Sequence, residues 1–208
     1  VNYWLHNEFL VIAKNKEAAD AGEGAKMSKS SGNFLTLSSL LDKGYDALDY
    51  RFFLLGGHYR KQIYFSWDAM DSAKQSRAAL VQRIAKLAEN AGSSAADINV
   101  GKTYAKGEAA KTAGLSAKAQ KYLADFQAAL ENDLSTPVAM SQLQSAVKDS
   151  SLEPKEALEL VRRMDSVTGL KLMESAAKLL EAGATTANVN THAGDPEAAE
   201  IDALVAER

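Results

Sequence analysis

Between Trp67 and Leu87 apolar residues return at steps of three, four or seven positions, at Trp67, Met70, Ala73, Leu80, Ile84 and Leu87. That spacing draws one face of a helix of about six turns. The opposite face carries Lys74, Arg77, Gln82, Arg83 and Lys86. The apolar stripe is core packing, and the basic face is either a solvated surface or a track for phosphates. From Thr36 onward the rest of the chain follows the same helical period. Thr36 or Ser38 caps a short helix that stops at Gly44, and Tyr45 to Leu55 forms a second that ends at the Gly56-Gly57 pair. The three prolines mark helix starts. Thr136-Pro137 and Asp195-Pro196 read as a capping side chain followed by Pro in the first turn, and Pro154 follows Ser151. Gly169 and Gly183 stand where helices should stop. The expected C-terminal helices lie near 116–131, 137–149, 153–167, 170–182 and 196–208.

Ahead of this helical region the chain reads differently. Phe9 to Ala13 is short, apolar and β-branched at its end, a buried strand. Lys14 to Gly24 is charged and contains Gly, an exposed loop or long hairpin tip. Residues 92–114 are rich in Ser, Gly, Ala and Lys and read as a mobile linker at a domain boundary.

Composition narrows the function classes. The chain has 208 residues, 46% of them hydrophobic and 25% charged, as globular proteins do. It has no Cys, which excludes disulfides, thiolate metal sites and a Cys nucleophile within these residues. No apolar run approaches the roughly 18 residues of a membrane span. His6, His58 and His192 are too far apart in sequence for metal-ligand spacing. Residues 1–92 hold 12 Lys and Arg against 10 Asp and Glu, while residues 93–208 hold 12 against 17. The mildly basic first half leaves room for a phosphate-bearing partner. The chain opens on Val rather than Met, which suggests a processed or excised product.

Lys26 and Lys29 are the informative pair. Two ammonium groups on a Ser- and Gly-containing loop just after a strand suit a polyphosphate. A lysine that meets the charge developing on a departing pyrophosphate raises a rate rather than merely tightening binding. A bare Lys-x-x-Lys is more often a solvated loop. The full string Lys26-Met27-Ser28-Lys29-Ser30, followed by Gly32-Asn33, resembles the KMSKS loop of class I aminoacyl-tRNA synthetases. The flanks Tyr3-Trp4-Leu5-His6-Asn7, Tyr50 to Leu55, Gly57-His58-Tyr59-Arg60, Phe126 to Pro137 and Ala199 to Arg208 are similar to cysteinyl-tRNA synthetases in the same order.

The resemblance implies a mainly α chain. It would hold the last strands and KMSKS loop of a Rossmann-type catalytic domain, then a helical connective segment and a C-terminal helical bundle. The implied divisions are 1–34, 35–91, the linker 92–114, and 115–208. Catalysis would fall to Lys29 and Lys26, and ATP binding with Mg to Lys26, Met27, Ser28, Lys29 and Ser30. His58, Tyr59, Arg60, Lys74 and Arg77 are candidates for tRNA contact, through cations on phosphate and Tyr on a base. The partners implied are tRNA-Cys, cysteine and ATP, in the cytoplasm, with a monomer expected and no membrane.

The family's HIGH motif is absent here, as are its zinc ligands of two Cys, one His and one Glu, so the isolated chain is expected to be inactive. Glu8 and Ser31 depart from the family's usual Gly and Leu, and the 14–24 loop is longer than typical. Two other readings stand beside this one. A related ligase adenylates cysteine but passes it to an amine on a small sugar-like acceptor, and a non-catalytic helical module would simply bind tRNA. His6 reads as a packed histidine ahead of a contact to substrate or tRNA, the Glu131–Asp133 run as a helix end and cap, and His192 has no assigned role.

Overall fold

The structure is a computed structural model that describes residues 2, 4–14, 17–18, 21–26, 36–99, 104, 112 and 114–189. Three short strands form one sheet in the order β2-β1-β3. β1 (Leu10–Ile12) lies in the middle, antiparallel to β2 (Ala25–Lys26) and parallel to β3 (Ile63–Phe65). The β1–β2 hairpin matches the strand and long tip expected from 9–24. Gly24 allows the two strands to approach, because a Cβ there would sit 2.5 Å from Val11 Cγ1 and 2.9 Å from the Ile12 carbonyl oxygen. β3 is an element the helical reading passed over. Ile63-Tyr64-Phe65 is too short to show a period, and its partner strand lies more than fifty residues earlier.

α1 (Leu37–Asp42) starts at Thr36, whose Oγ1 accepts from the Ser39 N–H at 3.2 Å. α2 (Ala47–Leu55) starts at a reciprocal capping box between Asp46 and Asp49 and ends at Gly56. These two helices, β3 and the start of the next helix share a small core of Leu40, Phe65 and Met70, with Tyr45, Tyr50, Phe53 and Trp67 packed around it. The rings meet in stacked and edge-on pairs, such as Phe65 on Trp67 at 5.2 Å.

α3 (Trp67–Asn90) is the long helix predicted from the apolar stripe, and Met70, Ala73, Leu80 and Ile84 are buried on it. Its far end enters a larger core shared with α5 (Ala117–Glu131), α6 (Thr136–Lys148), α7 (Pro154–Thr168) and α8 (Leu172–Val189). Leu143, Leu160, Val161, Met164 and Leu172 are fully buried there. Within the stretch read as a linker, α4 (Ala95–Asn99) packs on α8 and buries Ile98.

Several helix ends depart from expectation. Ser135, not Thr136, holds the cap position of α6, which frees the Thr136 hydroxyl to donate to the Gly57 carbonyl at 3.1 Å. Pro154 is the first residue of α7 as expected, and Gly169 ends that helix in the left-handed conformation, φ +63°. Gly183 does not end α8, which runs on to Val189, because glycine lowers helix propensity without forbidding the helix. The helix expected at 196–208 lies outside the described residues. No helix among the described residues is long and apolar enough to cross a membrane.

Candidate functional site

The β1–β2 hairpin ends where the Lys26 to Ser30 string begins. β2 ends at Lys26, whose backbone pairs with Val11, and the helical region resumes at the Thr36 cap. Met27, Ser28, Lys29 and Ser30 lie outside the described residues, as does His192. His6 is exposed beside Trp4, with ring centroids 5.3 Å apart, rather than packed in a core.

The turn after α2 is tied to the sheet and to the helical bundle at once. The Glu8 N–H donates to the Tyr59 carbonyl at 2.8 Å, and the Ile63 N–H to the Phe9 carbonyl at 3.3 Å. On the other side Asp133 receives the Tyr59 hydroxyl at 2.5 Å, Arg60 Nε at 2.6 Å and an Arg60 terminal nitrogen at 3.0 Å. His58 Nε2 stands 3.9 Å from the same carboxylate, and its ring stacks on Tyr59. The Arg60 guanidinium holds the Asp133 carboxyl down to about 2, and the same carboxylate pushes the Tyr59 phenol up. Asp133 and Leu134 both adopt left-handed backbone, φ +54° and +51°, where the chain turns from α5 into α6. Asp133 is therefore not the cap that its place at a helix end suggested. It is a clasp across 73 residues of sequence, and nothing local in the sequence signals the pairing.

The basic face of α3 separates on inspection. Lys74 is exposed, donates to the Gly44 carbonyl at 2.8 Å and sits 5.3 Å from the Tyr45 ring centroid. Arg77 is not on a solvated face at all: its side chain is 12% exposed, against 5% for its partner Asp49. It bonds Asp49 at 3.2 Å and Ser175 at 3.0 Å, joining α2 and α3 to α8. The physical reason is the neighbouring helix. Once α8 covers that face, a guanidinium with a buried carboxylate opposite it is the stable filling. Arg51 makes a second such link, Nε to the Thr168 carbonyl at 2.6 Å, beside Gly169.

Of the five side chains expected to face RNA, His58, Tyr59 and Arg60 come together at one turn, Lys74 lies apart from them, and Arg77 is interior. His58 also lines an open groove with Lys61, a residue the sequence reading did not single out. A zinc held by two thiolates does not fit this chain, which has no Cys. Among the described residues no group of three His, Asp or Glu is placed to hold a metal.

Comparison with known proteins gives these features a context. Residues 1–75 match the family described as the tRNA synthetases class I (C) catalytic domain. The chain is 43% identical over 184 residues to a cysteine–tRNA ligase of Treponema denticola, covering 87% of this chain and 35% of that protein. It is 40% identical over 189 residues to the corresponding ligase of Treponema pallidum strain Nichols, covering 88% of this chain and 36% of the relative. With the cysteine–tRNA ligase of Shewanella sediminis it shares 33% identity over 212 aligned positions, spanning 100% of this chain and 37% of that protein. The chain spans about a third of the length of the curated relatives it matches. Over these residues the chain is similar to the class I synthetases that these cysteine–tRNA ligases represent.

Proposed function

We propose that this chain is the KMSKS-bearing and helical part of a cysteine–tRNA ligase. The observation that carries the reading is a match over 87% of the chain at 43% identity, together with the catalytic-domain match over residues 1–75, which contain Lys26 and Lys29. The whole protein joins cysteine to ATP, releases pyrophosphate, and passes the cysteinyl group to the 3′ end of tRNA-Cys in the cytoplasm. ATP enters as the substrate with its magnesium. Lys29 donates to the phosphoryl oxygens as charge builds on the departing pyrophosphate, and Lys26 and Ser28 orient the same group with Met27 and Ser30 beside them. The division into a catalytic end (1–34), a helical segment (35–91), a connection (92–114) and a tRNA-directed bundle (115–208) follows the same reading. The zinc of the family would have to be held by residues outside this sequence, so no step here runs through it.

The test uses the native polypeptide, recovered from its source with an antibody raised against this chain. It should exceed the 22.3 kDa of these residues, exchange ATP and pyrophosphate only with cysteine present, and retain labelled cysteine on tRNA. Lys29→Ala should lower the exchange rate by about a hundredfold or more while tRNA binding is kept. Label retained on a small amine instead of tRNA would point to the sugar-acceptor ligase. A native product of 22.3 kDa without exchange would leave a tRNA-binding module.

A further inference from the structure

A groove runs along one side of the molecule, and its two compartments share Phe52, Gly56 and Pro137 as a common wall. The first, about 590 Å³, opens between the end of α2, the start of α3 and the turn that bears His58 and Lys61. The second, about 230 Å³, lies along α6 and ends at Lys148. No carboxylate lines either compartment, although Asp and Glu outnumber Lys and Arg 27 to 24 in the chain. Lys61 and Lys148 are exposed, and neither forms an ion pair among the described residues. Lys14, Arg83 and Lys155 are also exposed and without an ion pair among the described residues, but they do not line the groove. Between the two lysines stand the hydroxyls of Ser76 and Ser141 and the amide of Gln144, with the Phe52 ring in the dividing wall.

We infer that this groove seats a ribose–phosphate strand of RNA, with one phosphate at Lys61 and another at Lys148. The inference rests on the tRNA reading above and deepens it. Two uncompensated cations in successive compartments match a ligand whose negative charge repeats along a backbone. The hydroxyls and amide between them match sugar hydroxyls, and the aromatic wall offers a face for a base. A single free phosphate would engage only one end.

The test is binding of a tRNA-Cys transcript to the 208-residue chain across a salt series, followed by fluorescence anisotropy. The double variant Lys61→Glu, Lys148→Glu should bind at least tenfold more weakly at low salt. Its slope of log affinity against log salt should be shallower by about 1.4 to 1.8, since each of the two lost phosphate contacts removes about 0.7–0.9. Lys86→Glu with Lys155→Glu makes the same charge change outside the groove and should move affinity less than threefold. A second readout needs no variant: bound tRNA should protect Lys61 and Lys148 from acetylation, and inorganic phosphate should not. Equal weakening by both double variants, or protection by phosphate alone, overturns the groove. Normal binding by the groove variant also overturns it while the tRNA reading stands. No binding by the unaltered chain removes both.

Discussion

The two cores of this molecule are built on different scales. The helical one joins α3 to α5 through α8 and closes over Leu143, Leu160, Val161 and Met164, all at 0% exposure. Among the described residues, the core beside the sheet gathers Leu40, Phe65 and Met70, and aromatic rings at its margin complete it. The sheet end also leaves Trp4, Leu5 and Phe9 between 55% and 74% exposed. Burial of apolar surface is the main favourable contribution to folding, so the helical core should carry most of the stability. α3 takes part in both cores, Met70 in the small one and Ile84 in the large one.

Truncating one buried leucine in each core tests the contrast most directly. Leu160→Ala should cost about 4 kcal/mol in denaturant unfolding, and Leu40→Ala about 2 kcal/mol because the site has exposed neighbours that can collapse around it. Equal losses with a single shared transition would mean that the two cores melt as one unit. The next effect concerns the link between them. Arg77→Ala should cost about 3 kcal/mol, since Asp49, 4% exposed, would be left as a buried charge without its partner. Changing Asp49 to Asn in the same chain should recover part of that loss. Full additivity of the two changes would show that the pair is not coupled.

The smallest effect lies at the Asp133 clasp and depends on pH. Its carboxyl sits at about 2 in the folded chain against an ordinary 3.8. The stabilisation is therefore present above pH 3.8 and fades as the pH falls from there toward 2. Thermal unfolding of Asp133→Asn should show a melting temperature below that of the unaltered chain at pH 6, with the gap closing in that acid window. A gap that stayed constant down to pH 2 would mean that the ion pair contributes nothing through its charge.

What could be read from the residues alone follows the same divide. α3, Pro137 and Pro154 in the first turns of α6 and α7, and the Gly169 stop are written in local spacing, and the helical core formed where that spacing put it. The sheet end was legible only in part. β1 and its hairpin show in the run Phe9 to Ala13, but β3 exists because β1 is there to pair with it. The candidate site was the least legible. Arg77 looks like a surface cation until α8 packs over it, and Asp133 looks like a cap until Tyr59 and Arg60 reach it across the fold. Ion pairs between distant segments leave no period in a sequence. The Lys26 to Ser30 string differs as a signal, because it is informative as a contiguous word, and Met27 to Ser30 lie outside the described residues.

The links from Arg51 to Thr168 and from Arg77 to Ser175 span 117 and 98 residues of chain. On a ribosome adding about 5–20 residues per second, Thr168 follows Arg51 by roughly 6–23 seconds. During that interval α2 and α3 have no α7 or α8 to hold, and the carboxylate of Asp49 waits beside Arg77 in water. The joining of these two halves therefore waits until α7 and α8 have been made.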